Sequence, residues 1–262
     1  MYLYEFLSLD QWNITPLSAG LFCLSAFIVG FAKTGLPGAA IVAVPLMAMV
    51  VPPKVSVGVM LPLYMIADVI SLCCWWRYAE RRYCLPYLFF VGLGIWGASF
   101  VVGAVSDKTF GVIIGCLILF LILLSLSTEA LRKREVGNVP VSPVPTLSFS
   151  AFFGFSTGLV STLANAAGPI MSLYMLLSRR EKFQLLGTTT VCAFFMNWAK
   201  VPLFVSLGAI NVDTLKLDAA AVPVVALGTF AGFFLAKRIP QKAFKNVVFI
   251  LAVAASLNLI FQ

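Results

Sequence analysis

The 262-residue chain is 61% hydrophobic and only 11% charged, and its mean hydropathy is +1.01. Soluble domains carry about 25% charged residues, so this composition excludes an ordinary soluble domain. Apolar stretches of roughly 17 to 25 residues, bounded by charges or by proline and glycine, are typical of transmembrane helices and not of barrel strands. The predicted fold class is therefore an all-α polytopic membrane protein.

The formal net charge of +8 does not indicate a nucleic-acid partner, because excess lysine and arginine in a membrane protein mark cytoplasmic loops. The six cysteines include no CxxC pair and the chain has no histidine, so we interpret the cysteines as packing residues and expect no metal or other cofactor. Residues 1–19 contain two carboxylates but no lysine, arginine or small-residue cleavage pattern. We expect them to remain in the mature protein rather than to form a cleaved signal peptide.

In chain order, the apolar pattern predicts five segments and then five more, at 16–33, 36–51, 55–76, 85–105, 109–128, 147–164, 166–178, 184–208, 219–236 and 244–261. The intervening stretch EALRKREVGNVPVSPVP is charged and then proline-spaced, as is typical of a linker. We therefore divide the chain into a first membrane repeat at 1–128, a cytoplasmic linker at 129–146 and a second membrane repeat at 147–262.

The two halves resemble each other. GFAKTGLPGAAIVAVPLM aligns without gaps on GFSTGLVSTLANAAGPIM, which pairs Gly30 with Gly154 and Pro45 with Pro169. Later blocks keep the same order and pair Gly58 with Gly187, Asp68 with Asn197, Ser71 with Lys200, and Gly94 with Gly228. Such a duplication predicts two copies of one five-segment bundle.

Because five is odd, the second copy is expected to enter the membrane from the opposite side. If the linker is cytoplasmic, thirteen loop lysines and arginines lie in the cytoplasm, against three outside, Lys54, Lys108 and Lys216. The charge bias thus predicts an inverted-topology repeat in the cell membrane, multi-pass, with both termini outside. Inverted repeats are typical of secondary transporters that work by alternating access around a site near the midplane.

The second segment of each copy is short, at roughly 18 to 23 Å against a hydrocarbon core of about 30 Å. Each is predicted to form, with the preceding segment, a broken or re-entrant helix whose turn lies at membrane depth; the alternatives are two full crossings or ordinary tight turns. The turns KTGLPG and STLANAAGP contain helix-breaking glycine and proline, and Ser161, Thr162 and Asn165 add hydrogen-bonding groups. The N–H groups of the helix that follows each turn favour an anion.

Three charges fall inside the apolar framework: Lys33, Lys200 and Asp68, the last being the only carboxylate that these boundaries place within a span. Intramembrane charges are costly and are functional candidates. Lys33 has the alternative of capping a loop, Lys200 of extending to the interface and Asp68 of a structural pairing. Asn197 and Lys200 are three residues apart and share a helix face, as do Asp68 and Ser71.

The two lysines, the hydroxyl and amide side chains and the helix N-termini at the two turns together predict a small oxyanion as substrate. The predicted substrate-binding residues are Lys33, Gly35, Gly38, Thr162, Asn165, Gly168, Asn197 and Lys200, with Asp68 as a coupling or charge-pairing residue. No catalytic residues are predicted, because the membrane region has no histidine, carboxylate pair, Cys/His couple or phosphate-binding loop. The protein is therefore expected not to be an enzyme, and the expected partners are a small anion and the lipid bilayer.

The two turn motifs, together with PPKVSVG and FQLLGTTTVCAFFMNWAKVPLF, resemble the TauE/SafE family, also called the sulfonate uptake permease family, over nearly the whole chain. The resemblance implies transport of sulfite, thiosulfate, sulfonates, sulfoacetate or similar anions. It also implies that the family's motif regions include Gly30, Lys33, Gly35, Gly38, Pro45, Asn165, Gly168, Pro169, Thr188, Asn197 and Lys200. Many relatives carry a run such as GxGGG at the first turn, where this chain has GLPGAA, so the resemblance does not name the anion.

The direction of transport depends on the free energy that drives the anion across the membrane. With a negative cytoplasm, about 2.3 kcal/mol per charge per 100 mV drives an anion outward, which favours export. Uptake requires a coupled proton or sodium ion, and proton-coupled uptake through Asp68 is the first alternative. A passive anion channel is the second, and the oligomeric state is left open.

Overall fold

The structure is a computed structural model that describes residues 15–34, 39–134, 147–177 and 182–235, together with 250, 253, 254, 256–258, 260 and 261. Every regular element in these ranges is helical. The helices are α1 (Pro16–Thr34), α2 (Ala43–Ala48), α3 (Pro53–Trp75), α4 (Arg81–Ala104), α5 (Asp107–Arg134), α6 (Leu147–Ala164), α7 (Gly168–Leu177), α8 (Lys182–Ser206) and α9 (Val212–Leu235), with short 3-10 turns at Ala39–Val42 and Trp76–Tyr78.

Six of the described helices, α1, α3, α4, α5, α6 and α9, are long and apolar enough to cross a membrane. The prediction of an all-helical polytopic membrane protein is therefore confirmed. The fifth-segment helix α5 continues to Arg134, so residues 129–134 of the predicted linker are helical, while residues 135–146 lie outside the described residues. The predicted last segment, 244–261, is described at only a few helical positions.

The start of α9 differs most from the prediction, since this helix begins at Val212 and not near 219. The side-chain oxygen of Asn211 accepts the backbone N–H groups of Asp213 (2.9 Å) and Thr214 (3.0 Å). This is an N-cap, which starts a helix ahead of its apolar run. Two further turns, and the carboxylate of Asp218 with them, thereby become part of the candidate span.

The break between α6 and α7 lies at residues 165–167. Asn165 has a φ of 46°, the only non-glycine residue of the described chain in the left-handed region, where asparagine is more readily tolerated than most residues. In the first half, α1 ends at Thr34 and the chain resumes in the 3-10 turn at Ala39. Gly35 and Gly38, between them, lie outside the described residues.

Long helices of the two halves pack in matched combinations: α1 against α9, α4 against α6, and α3 against α8. Glycine permits the close approach of α1 to α9 and of α4 to α6, which we call the outer pairs. A Cβ on Gly30 would overlap the carbonyl oxygen of Val225, and a Cβ on Gly158 would overlap that of Val91. The helices α3 and α8 therefore meet each other in the middle of the bundle, each of them also contacting an outer pair.

These contacts correct the alignment of the first helices. Gly94 and Gly228 align Val91 with Val225, and these are the carbonyls that Gly158 and Gly30 approach. Within the predicted duplication, these contacts favour pairing Gly30 with Gly158 and not with Gly154, a shift of four residues, about one helical turn. The shifted register aligns Lys33 with Ser161 and gives the first half four additional residues before α2.

Candidate functional site

Lys33 lies in the last turn of α1, with 20% of its side chain exposed, and its ammonium group forms an ion pair with Oδ1 of Asp68 on α3. The ring of Tyr64, one turn earlier on α3, lies 5.4 Å from the Lys33 Nζ, at cation–π distance. The Tyr64 hydroxyl donates to the carbonyl of Ala40 at 3.3 Å. One aromatic side chain thus contacts Lys33 and ties the 3-10 turn to α3.

Asp68 is 1% exposed, and both of its oxygens have partners. Oδ1 accepts from Lys33, and Oδ2 accepts from the Asn197 Nδ2 of α8 at 2.5 Å. The carboxylate therefore joins α1, α3 and α8. We call Lys33, Asp68 and Asn197 the Lys33 cluster.

Lys200 on α8 has no exposed surface. Its ammonium donates to the Asn165 Oδ1 at 2.6 Å, to the Ser161 Oγ at 3.0 Å and to the Ser161 carbonyl at 3.2 Å. An ammonium has three donors, so all of them are used by neutral oxygens of α6 and its break. We call Lys200, Ser161 and Asn165 the Lys200 cluster.

Asn165 connects this cluster to the other half of the chain. Its Nδ2 donates to the Val57 carbonyl on α3 at 2.8 Å, while its Oδ1 accepts from Lys200. Since its backbone also turns the chain from α6 into α7, one residue ends a helix, binds the buried lysine and anchors the break to α3. Gly168, the first residue of α7, follows three positions later and is half-buried.

The two clusters are continuous. Asn197 and Lys200 lie on one face of α8, three residues apart, and contact Asp68 and Asn165 respectively. A string of polar side chains therefore runs from α1 through α3 and α8 to α6, inside a protein whose surroundings are apolar. The structure thus brings together five of the predicted site residues: Lys33, Asp68, Asn165, Asn197 and Lys200.

Thr162 is also predicted for the site and is fully buried, but its hydroxyl donates to the carbonyl of Gly158, one turn earlier in the same helix, at 2.8 Å. Thr188, from the family's motif regions, accepts the backbone N–H of Glu80 at 3.2 Å and so links α8 to the segment before α4. Among the described residues, no group of three or more histidine, cysteine, aspartate or glutamate side chains is arranged to hold a metal ion.

Sequence reasoning missed two buried polar residues, one within the Lys200 cluster and one outside it. Ser161 contributes two of the three Lys200 contacts, and its position in the last turn of α6, four residues before Asn165, was the available signal. Asp218 is 3% exposed within the candidate span of α9, so Asp68 is not the only buried carboxylate that lies in a candidate span, whereas the sequence boundaries left Asp218 outside. The Asn211 cap that extends α9 to Asp218 is the signal that was missed.

Comparison with known proteins agrees with the resemblance drawn from the turn motifs. Residues 22–259 match the family described as sulfite exporter TauE/SafE, which is nearly the whole chain. Comparison with curated proteins finds no match, and comparison with solved structures finds none either. The family consists of membrane transporters associated with sulfite and related sulfur anions, and this chain is a transmembrane protein that belongs to the TauE/SafE sulfite exporter family.

Proposed function

We propose that this protein is a secondary transporter that exports a small sulfur-containing oxyanion, such as sulfite, a sulfonate or sulfoacetate, across the cell membrane by alternating access. The observation that carries the proposal is the state of Lys200, a fully buried ammonium whose described partners are all uncharged oxygens. The family match supports the sulfur anion as substrate class.

Charge balance distinguishes the two lysines. The ion pair with Asp68 neutralises Lys33, whereas no carboxylate of the described chain lies within ion-pair distance of Lys200. An ammonium in an apolar interior attracts an anion far more strongly than one in water. The Lys200 cluster therefore supplies the positive charge that the substrate balances.

Binding at Lys200 requires an exchange of partners. All three ammonium donors are used in this conformation, so an oxyanion takes the places of Asn165 and Ser161. Asn165 lies three residues before Gly168, the first residue of α7, whose first backbone N–H groups have no acceptor within the helix. In the proposed exchange, residues 165–167 move. The N-terminal N–H groups of α7, which favour anions, then turn toward the oxyanion at Lys200.

The matched packing of the two halves supports an inverted repeat. Each lysine connects the first and third helices of its own half: Lys33 runs from α1 to α3, and Lys200 from α8 to α6. Asp68 and Asn197, which the duplication aligns, contact each other between α3 and α8. Contact between aligned residues is expected where a pseudo-twofold axis passes, and such an axis relates inward-open and outward-open forms.

Export is the proposed direction because the membrane potential drives an uncoupled anion outward. Both oxygens of Asp68 are occupied by Lys33 and Asn197, so Asp68 acts as a charge-pairing residue and is poorly suited to carry a proton. Proton-coupled uptake and a passive channel are the remaining alternatives, and a channel differs from a carrier in showing neither saturation nor counterflow.

The test is radiolabelled sulfite counterflow in proteoliposomes loaded with unlabelled sulfite. The native chain is expected to show saturable counterflow, and Lys200→Met to lower it about 100-fold, since each hydrogen bond to a charged group contributes about 1.5–3 kcal/mol. Lys216→Met is the matched control, because Lys216 is exposed and pairs with Asp213 in the first turns of α9. Counterflow that persists in Lys200→Met would overturn the site, and linear flux without counterflow would indicate a channel.

A further inference from the structure

Asp218 lies two turns into α9, within the candidate span Val212–Gly232. It is 3% exposed, and neither of its carboxylate oxygens has a hydrogen-bond partner among the residues that the structure describes. The proposed anion site does not use this residue. An unpartnered carboxylate at membrane depth therefore requires its own explanation.

The Asp218 side chain lies on the protein-facing side of α9. Ala221 and Val225, three and seven residues later on the same face, are 2% and 0% exposed. The Val225 carbonyl is the point at which Gly30 of α1 approaches α9 most closely. Asp218 is thus on the face that packs against α1 and α3 and not on the lipid side.

No described cation compensates this carboxylate. The ionisable side chains described on the helices packed against α9 are Cys23 and Lys33 of α1, and Lys54, Tyr64, Asp68 and Cys73 of α3. Of these, Lys33 and Asp68 pair with each other, the Tyr64 hydroxyl donates to Ala40, and Lys54 is half-buried in the first turn of α3 without an ion pair to Asp218. On α9 itself, Asp213 and Lys216 pair with each other at the surface.

An ionised carboxylate that is buried without a cation or a donor costs several kcal/mol, and protonation removes most of that cost. We propose that Asp218 is a proton-binding site that holds a proton in this conformation, and that proton binding at Asp218 is linked to anion binding at Lys200. The link rests on the proposed function, whereas the proton site itself does not.

The positions of Lys200 and Asp218 in the bundle support a link between anion binding and proton binding. Lys200 and Asp218 are each seven residues from the 207–211 loop, so they lie at similar depths, roughly 10 Å into the bundle. Ala209 of that loop packs against Gly58, which places both residues toward the Pro53 end of α3. The helices that carry them, α8 and α9, both pack against α3.

The charges of the anion and of Asp218 decide whether anion binding favours or disfavours proton binding. An anion at Lys200 disfavours a second negative charge on Asp218 at a similar depth in the bundle, so the anion and the proton bind together, and by linkage each increases the affinity for the other. A carrier of this kind moves less net charge per cycle than an uncoupled exporter. Its direction is then set by the proton gradient as well as by the membrane potential.

The proton site is tested by infrared spectroscopy of the full chain in lipid at neutral pH, without substrate. The native protein is expected to show the carbonyl stretch of a protonated carboxyl group, Asp218→Asn to lose that band, and Asp218→Glu to retain it at a shifted position. Asp213→Asn is the matched control from the exposed face of α9 and retains the native band. Absence of the band in the native protein, or its persistence in Asp218→Asn, would overturn the proton site.

The link is tested by adding thiosulfate, which stays ionised, to weakly buffered protein with a pH-sensitive dye, at the alkaline pH at which half of the native Asp218 infrared band is lost and Asp218 is partly ionised. The native chain and Asp213→Asn are expected to take up protons as thiosulfate binds, and Asp218→Asn to lose this uptake. Thiosulfate binding to the native chain without proton uptake would overturn the link. If neither thiosulfate nor sulfite binds, the proposed function fails and the link with it, while the infrared band still decides the proton site.

Discussion

The Lys33 cluster and the Lys200 cluster hold the same kind of charge in different ways. Lys33 has a carboxylate partner and keeps a fifth of its side chain exposed, whereas Lys200 is fully buried among neutral oxygens. A neutralised pair is stable without substrate and attracts an anion weakly. A buried cation without a counter-charge attracts an anion strongly, which is why we propose structural pairing for Lys33 and substrate binding for Lys200.

The largest expected effect comes from breaking the neutralised pair. Lys33→Met leaves the buried Asp68 carboxylate without its cation, and we expect the free energy of unfolding to fall by about 3–5 kcal/mol. The double variant Lys33→Met/Asp68→Asn removes both charges and should recover most of this loss. Thermal unfolding in detergent measures both, and a double variant no more stable than Lys33→Met would contradict the pairing role.

A smaller effect is expected at the break next to Lys200. Asn165→Gly keeps the left-handed backbone but deletes the bonds to Lys200 and Val57, and should lower the free energy of unfolding by about 2 kcal/mol. Asn165→Ala also forces a side chain into positive φ and should cost about 1 kcal/mol more. Equal stabilities of the two variants would mean that the left-handed turn is not retained.

The smallest effect is expected at Thr162. Its hydroxyl donates within its own helix to Gly158, so Thr162→Val should change sulfite counterflow by less than about twofold. Ser161→Ala serves as the comparison, since Ser161 contacts Lys200 and its substitution should change the counterflow more. A larger loss in Thr162→Val than in Ser161→Ala would assign the hydroxyl of Thr162 to the substrate.

The sequence was sufficient to predict most helices, because apolar length decides membrane insertion. It also identified the three charged residues that the structure brings into one polar cluster, because charges are rare in this chain. It did not decide which lysine pairs with Asp68, since that choice depends on how α1, α3 and α8 pack. It misaligned α1 with α6 because a Gly-Phe dipeptide occurs at 30–31 and again at 154–155, one turn away from the matching helix contacts.

Asp218 escaped the sequence prediction for a local reason. Asp213, Lys216 and Asp218 make the first two turns of α9 polar, so the apolar run begins only after them. The Asn211 cap nevertheless starts the helix at Val212. Hydropathy reports the average of a window, whereas a cap acts through one side chain, and the two signals disagree most at helix ends.

The central claim is that the anion binds at Lys200 and not at Lys33, and equilibrium binding of sulfite measured by calorimetry tests it most directly. The native chain and the Lys33→Met/Asp68→Asn double variant are expected to bind sulfite with affinities within about fivefold of each other, since the neutral pair contributes little net charge. Lys200→Met is expected to show no measurable binding. Retained binding in Lys200→Met together with its loss in the double variant would contradict the account.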